Sequence, residues 1–344
     1  MKSFELHAAE NRKALFARLS PRIWLEADLV RIWVVADPSV ALKLLRHPMV
    51  TIASRAGILD TITEKHGMVF PAVADACRML PILAENDAHA GVRKGFATYL
   101  AERLRELESR LAGFSRSCLG RLAEKGRVDI VSEVVDPFVH KVIAVLIKQE
   151  APAEILALDI ADAIFFNTLV THLQALDARI GKALSFLRAT SSDEDEVAWK
   201  FACLVFGIDS LAGTLTESIV AVLRELDRHG AETARLPDFP VETGVPVTMR
   251  MARDDFVLDG VEFKAGDAIR LQLQSFSYSD NGEDRQFIFG AGMHSCLGKQ
   301  LSLRLWHSFR QEFDALGLRA RILDYELARS HFLMLHKAVN IEVL

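Results

Sequence analysis

The segment Phe289-Gly290-Ala291-Gly292-Met293-His294-Ser295-Cys296-Leu297-Gly298 narrows the possibilities for this chain more than any other stretch. It sets one cysteine among three glycines, with a histidine two residues earlier. Glycine reaches backbone shapes that a β-carbon resists and lets the main chain approach a flat ligand closely. Beyond the cysteine, Leu297, Leu301, Leu305, Phe309 and Phe313 recur at every fourth position, which predicts the buried stripe of an amphipathic helix. Cys296 therefore falls at a helix N-terminus. Unpaired amides and the helix dipole there favour a thiolate over a thiol.

A thiolate so placed is a good axial ligand for haem iron and pushes electron density toward it, favouring O–O cleavage. The plainer alternative is a small cysteine buried in a loop, as cysteines often are. The other three, Cys77, Cys118 and Cys203, are scattered and form no CxxC pair, so neither a disulfide framework nor a zinc site is indicated. That usage suits a reducing cytoplasm. A net charge of −5 argues against a nucleic-acid surface. Residues 1–17 lack the apolar core of a signal peptide, and no run of about eighteen apolar residues predicts a membrane span.

Half of the residues are apolar, enough for a sizeable core. Residues 29–36 read as a strand, and Asp37-Pro38 opens a helix to about Arg46 through an N-cap and a proline at the first helical position. Residues 52–85 read as irregular. Helical patterns cover 87–125 with a break near Gly113, then 127–149, 152–189 and 194–229. Pro237, Pro240 and Pro246 argue against a helix over 234–248. Strand-like segments follow at 256–274, then the cysteine loop, a long helix and closing strands at 331–344. The expected fold class is mostly α with a small β portion at both ends of the chain.

Three further groups carry chemistry. His89 and Arg93, four apart on a helix, share one face. Arg250 precedes a strand and the turn at Gly260. Phe206-Gly207-Ile208-Asp209-Ser210 lies in a largely apolar helix, where a glycine costs about 1 kcal/mol relative to alanine and an acid is unexpected. Both need a reason.

With these residues in place, the chain resembles a cytochrome P450 of the soluble bacterial type, unusually short. The resemblance implies a single P450-like haem domain over 1–344, binding haem b through the Cys296 thiolate within a loop formed by Phe289, Gly290, His294 and Gly298. It gives His89, Arg93, Arg250 and His294 to the haem propionates. It gives Gly207 a groove for dioxygen, and Asp209 and Ser210 a proton relay; serine replaces the usual threonine and loses its χ1 stiffness. A competing register, Ala212-Gly213-Thr214-Leu215-Thr216, puts leucine at the acid position. By position, Val69, Phe70, Phe206, Val247, Thr248, Phe332 and Leu333 are the expected substrate contacts.

The family pattern fails in two places. Glu232 and Arg235 have the letters of its Glu-x-x-Arg brace but run straight into Pro237. The stretch between Gly266 and Phe289 is too short for the usual meander with its Arg-Asp-Pro-like turn. Lys299 and Arg304 are the cationic candidates for a partner site beside the cysteine loop. The implied activity is a cytoplasmic monooxygenase oxidising an apolar small molecule in specialised biosynthesis, using molecular oxygen. Electrons would come from a ferredoxin or flavodoxin, because the chain has no dinucleotide fingerprint. A peroxide-dependent or non-oxygenase haem-thiolate enzyme is the alternative reading. A catalytically silent haem-binding partner or scaffold is the alternative from another class.

Overall fold

The computed structural model describes residues 12–26, 31–52, 55–83, 86–124, 126–158, 160, 170–229, 233–328 and 333–344. The chain divides into two compact units. One comprises Met1–Ala53, Val245–Cys296 and His331–Met334; the other comprises Ser54–Gly244, Leu297–Ser330 and Leu335–Leu344.

The first unit is built on a five-stranded sheet in the order β1-β2-β8-β5-β3: β1 (Ile23–Glu26), β2 (Ile32–Val35), β8 (Ala268–Gln272), β5 (Val247–Ala252) and β3 (Val50–Thr51). Only the β2–β8 pairing is parallel. A separate hairpin joins β6 (Phe256–Leu258) to β7 (Val261–Phe263). The unit also holds helix α1 (Arg12–Arg18) and helix α2 (Pro38–Leu45). Asp37 caps α2 as expected, its carboxylate accepting from the Ser39 and Val40 amides at 2.9 and 3.1 Å.

The second unit is helical: α3 (Arg55–His66), α4 (Pro71–Met79), α5 (Asn86–Glu108), α6 (Leu111–Leu119), α7 (Asp136–Leu146), α8 (Ala153–Leu156), α9 (Val170–Arg188), α10 (Glu194–His229) and α11 (Lys299–Ala315). A three-stranded sheet, β4 (Gly126–Asp129), β10 (His336–Val343) and β9 (Ala320–Leu327), completes it. The stripe on α11 is as the periodicity requires, with Leu301, Leu305, Phe309 and Phe313 buried. Helix α10 over Glu194–Arg228 is long and apolar enough to cross a membrane by length and composition. It packs, however, on α4, α7, α9, β9 and β10 as a core helix.

Three expectations need correction. Residues 52–85 carry helices α3 and α4: Pro71 opens α4 instead of breaking it, and the apolar residues of α3 follow no single stripe. The segment 127–149 begins as strand β4, whose partner β10 is two hundred residues away, then passes through a π-turn at Val131–Val135 into α7. The break expected near Gly113 falls at Ser109–Arg110. Gly113 lies within α6, where a β-carbon would meet open space.

Candidate functional site

In the first unit, the loop 287–296 is drawn tight by its own backbone. The Gly290 amide donates to the Phe287 carbonyl and the Cys296 amide to the Phe289 carbonyl, each at 2.8 Å. Gly290 and Gly292 take φ of 71° and 70°, the left-handed region that a side chain resists. At Gly292 the reason is steric as well: a β-carbon would lie 2.4 Å from the Leu45 carbonyl oxygen at the end of α2. His294 is half-buried in the same loop.

Cys296 is the exposed member of the four cysteines; Cys77, Cys118 and Cys203 are buried. Burial pushes the Cys203 thiol up to about 12 and raises Cys118 as well, so both remain thiols. Two residues after Cys296, Gly298 takes the N-cap position of α11 with no side-chain cap.

Arg250 sits on β5 opposite Ile269 of β8. Its residue exposure is only 5%, and its guanidinium donates to the Thr248 hydroxyl and the Met249 carbonyl, both at 2.8 Å. Burial pulls its pKa down to about 10. No carboxylate among the described residues pairs with it. Of the expected substrate contacts in this unit, Val247 is buried, Thr248 is committed to Arg250 and Leu333 is half-buried. Phe332 lies outside the described residues.

In the second unit, His89 is buried on α5, and burial, with the Arg93 charge one turn on, lowers its pKa. Of the other expected substrate contacts, Val69 is exposed and Phe70 is buried at the start of α4. Along α10 the fully buried run Phe201–Val205 gives way to a half-buried stretch from Phe206 to Ala212, before burial returns at Gly213 and becomes continuous from Leu215. That stretch contains Gly207, Asp209 and Ser210. The Ser210 hydroxyl donates to the Phe206 carbonyl one turn back. A β-carbon on Gly207 would stand 2.8 Å from Ile143 Cδ1 of α7, the far end of a side chain that can turn aside, so α10 packs closely on α7 at this point without glycine being required.

The competing register is occupied differently. Thr214 Oγ1 donates to the Ser210 carbonyl at 2.7 Å and accepts from the Gly244 amide at 2.9 Å. Its hydroxyl is engaged in fastening coil to helix. Gly244 was not flagged by sequence reasoning. A β-carbon there would lie 2.7 Å from both the Ser210 oxygen and the Thr214 nitrogen. No local signal beyond the proline-rich setting marks it.

Glu232 lies outside the described residues, and Arg235 is exposed in coil. Residues 233–246 contain no helix, so a helix-borne Glu-x-x-Arg pair is absent from the described residues. The coil is instead fastened along α11 and its end. Ala234 donates to the Leu318 carbonyl at 2.8 Å, Leu236 to Asp314 at 2.9 Å, and Trp306 to the Pro237 carbonyl at 3.0 Å, while Arg310 pairs with Asp238. Lys299 is half-buried. Arg304 is exposed, with Glu108 at 3.7 Å.

No family model matches the sequence, and no curated protein matches it. Solved structures do. The chain is similar to P450BioI, solved with a hexadec-9Z-enoic acid-ligated acyl carrier protein: TM-score 0.77 and 14% identity, covering 99% of this chain and 100% of that one. It is similar to a cytochrome P450-153 from Novosphingobium aromaticivorans at TM-score 0.75 and 20% identity, over 99% and 98% of the two chains. A myxobacterial cytochrome P450 in complex with myristic acid matches at TM-score 0.74 and 16% identity, over 100% of both. The fold is that of the cytochromes P450.

Proposed function

We propose that this chain is a haem-thiolate monooxygenase that oxidises an apolar small molecule in specialised biosynthesis. The observation that carries the reading is Cys296: an exposed cysteine, in a loop pinned by two left-handed glycines, at the head of α11. The remaining donor set suits haem b. A buried guanidinium whose partners are neutral, Arg250, is what an anion-bearing flat group requires. Cys296 would hold the iron, with Phe289, Gly290 and Gly298 shaping the loop, while Arg250, His294, His89 and Arg93 would serve the propionates. When bound, such a group supplies oxygen activation and C–H oxidation, chemistry that no side chain provides.

The chain's own part is to hold, orient and move protons. The N-terminal end of the α11 dipole would favour Cys296 as thiolate. Ser210 parks its hydroxyl proton on the Phe206 carbonyl and keeps its lone pairs to accept another. Asp209, beside it on α10, would resupply that proton from solvent, with Gly207 keeping the helix close to α7. Phe206, Val69, Phe70, Val247, Thr248, Phe332 and Leu333 would contact substrate. Fatty-acyl and fatty-acid ligands named with two of the similar structures agree with an apolar substrate. Electrons would come from a separate ferredoxin or flavodoxin in the cytoplasm, with Lys299 and Arg304 as candidates for its site.

The test is the ferrous–carbon monoxide spectrum of wild type and Cys296→Ser. A strongly red-shifted Soret band in the first and its loss in the second are expected. A protein that takes up no haem ends the reading. The helix-free stretch 233–246, where the family carries its Glu-x-x-Arg brace, favours a second reading, peroxide-dependent oxidation. Turnover with hydrogen peroxide but with no reductase system selects it.

A further inference from the structure

The second unit contains a buried pair of titratable side chains that the proposed mechanism does not use. His336 Nε2 lies 2.6 Å from Glu217 Oε1, and both side chains are only 2% exposed. His336 Nδ1 is buried and has no hydrogen-bond partner among the described residues. A doubly protonated ring would leave that N–H without an acceptor, so the geometry favours one proton on the line between Nε2 and the carboxylate.

The placement of the pair is specific at both ends. Glu217 is seven residues beyond Ser210 on α10, and Thr214 lies between them. At 3.6 residues per turn, Ser210, Thr214, Glu217 and Arg224 fall within about 40° of one line along the helix. Arg224 covers the ring of Tyr325 on β9 at 5.0 Å, and that ring meets the edge of His336 at 5.7 Å. One stripe of α10 thus carries the Ser210 hydroxyl at one end and grips the β9–β10 hairpin at the other.

At the hairpin end, His336 is the first residue of β10, paired with Leu327. The register then slips at Lys337 before Ala338 pairs with Glu326. A bulge re-aims the neighbouring side chain, and here it stands beside the residue that points at Glu217. A strand end next to a bulge is where register is least determined by its own ladder. Just beyond the paired residues, the Ala328 amide donates to the Leu335 carbonyl at 2.9 Å. A buried polar pair is a poor source of stability compared with apolar residues of the same volume, and its best-attested use is to specify register.

We propose that the Glu217–His336 hydrogen bond is a positioning element: it sets the register of β10 on β9 against the α10 stripe that bears Ser210. The link to substrate rests on the functional reading above, through Ser210; the register role does not. Neither residue is a catalytic residue, because neither is placed at the reacting atoms.

The experiment uses the haem-loaded full chain as wild type, Glu217→Gln, Glu217→Leu and the double variant Glu217→Leu/His336→Leu. The first readout is hydrogen exchange of the amides at the end of β9 and the start of β10. The second is the ratio of dissociation constants for imidazole and 4-phenylimidazole, two probes that share an iron-ligating nitrogen and differ by an apolar ring.

Glu217→Gln keeps an acceptor for the Nε2 proton and should stay within about twofold of wild type in both readouts. The double variant, with an apolar pair in place, should melt at or above wild type. Its amides at the end of β9 and the start of β10 should nevertheless exchange at least about tenfold faster, corresponding to about 1.4 kcal/mol of lost local protection, with the ligand ratio moved about fivefold. Wild-type exchange and ratio in the double variant would overturn the proposal, as would Glu217→Gln exchanging as fast as Glu217→Leu. If the double variant does not fold, that last comparison decides. If neither imidazole perturbs the spectrum, the haem reading fails, and the exchange data still decide the register role.

Discussion

Replacing Arg250 with methionine should move the haem-free and haem-loaded proteins in opposite directions. The guanidinium is held at about 10 against an ordinary 12.5 because it is buried. Keeping it charged in the folded chain near neutral pH therefore costs about 3 kcal/mol. Methionine removes that cost and also the hydrogen bonds to Thr248 and Met249, which together offset about 2 kcal/mol. The haem-free variant should thus be more stable by about 1 kcal/mol. In the loaded protein the same change would leave a buried propionate without its cation, a loss of about 3 kcal/mol. The difference, about 4 kcal/mol, is about three decades in haem affinity. Urea unfolding of the stripped chain and haem transfer to an excess of an apo-globin measure the two arms. A stripped variant destabilised by more than 1 kcal/mol, with haem affinity within tenfold of wild type, would make Arg250 a structural residue and refute the argument.

Gly292→Ala would force a β-carbon to 2.4 Å from the Leu45 carbonyl at a φ of 70°. The loss should be about 3 kcal/mol, read by thermal unfolding, and haem should dissociate faster because the cysteine loop must shift. Glu196 supplies a pH-dependent contribution at the start of α10. Burial opposes its charge, but hydrogen bonds from Lys148 and from the Ser192 amide and hydroxyl, with the Lys200 charge, hold it at about 2 against 4.5. A carboxyl depressed in this way contributes stability, about 3 kcal/mol, that is complete above its unfolded value and is lost as pH falls from about 4.5 through 2. Lys148→Met should therefore destabilise at pH 7 and flatten the acid limb of a urea-midpoint profile. A profile parallel to wild type would show that Lys148 adds nothing.

How far the fold can be read from sequence depends on how local its causes are. The Asp37 cap and the stripe of α11 depend on neighbours a few residues away, and each was legible; the glycines at 290 and 292 were legible from the motif around them, although the carbonyl that crowds Gly292 is that of distant Leu45. The strand at Gly126–Asp129 was not: its only reason to be extended is β10, far along the chain. Helix α3 was missed for the opposite reason, since a helix without an apolar stripe leaves no period to detect.

The site divides along the same line. Cys296 and the Gly207–Ser210 turn could be picked out because each breaks a local rule: a glycine-framed cysteine, and a glycine and an acid in an apolar helix. Arg250 breaks none in the sequence; only the resemblance points to it, and its burial is visible in the fold alone. Gly244 breaks none, yet a β-carbon there would collide with the backbone of α10 on either side of Thr214. Glu217 and His336 are equally silent, an ordinary acid and an ordinary histidine 119 residues apart. What makes them informative is the pairing, which exists only after β10 has been laid against α10. Local rule-breaking singles out most of the residues proposed to meet a ligand. Residues whose partners lie far along the chain obey the local rules, and only the assembled fold identifies them.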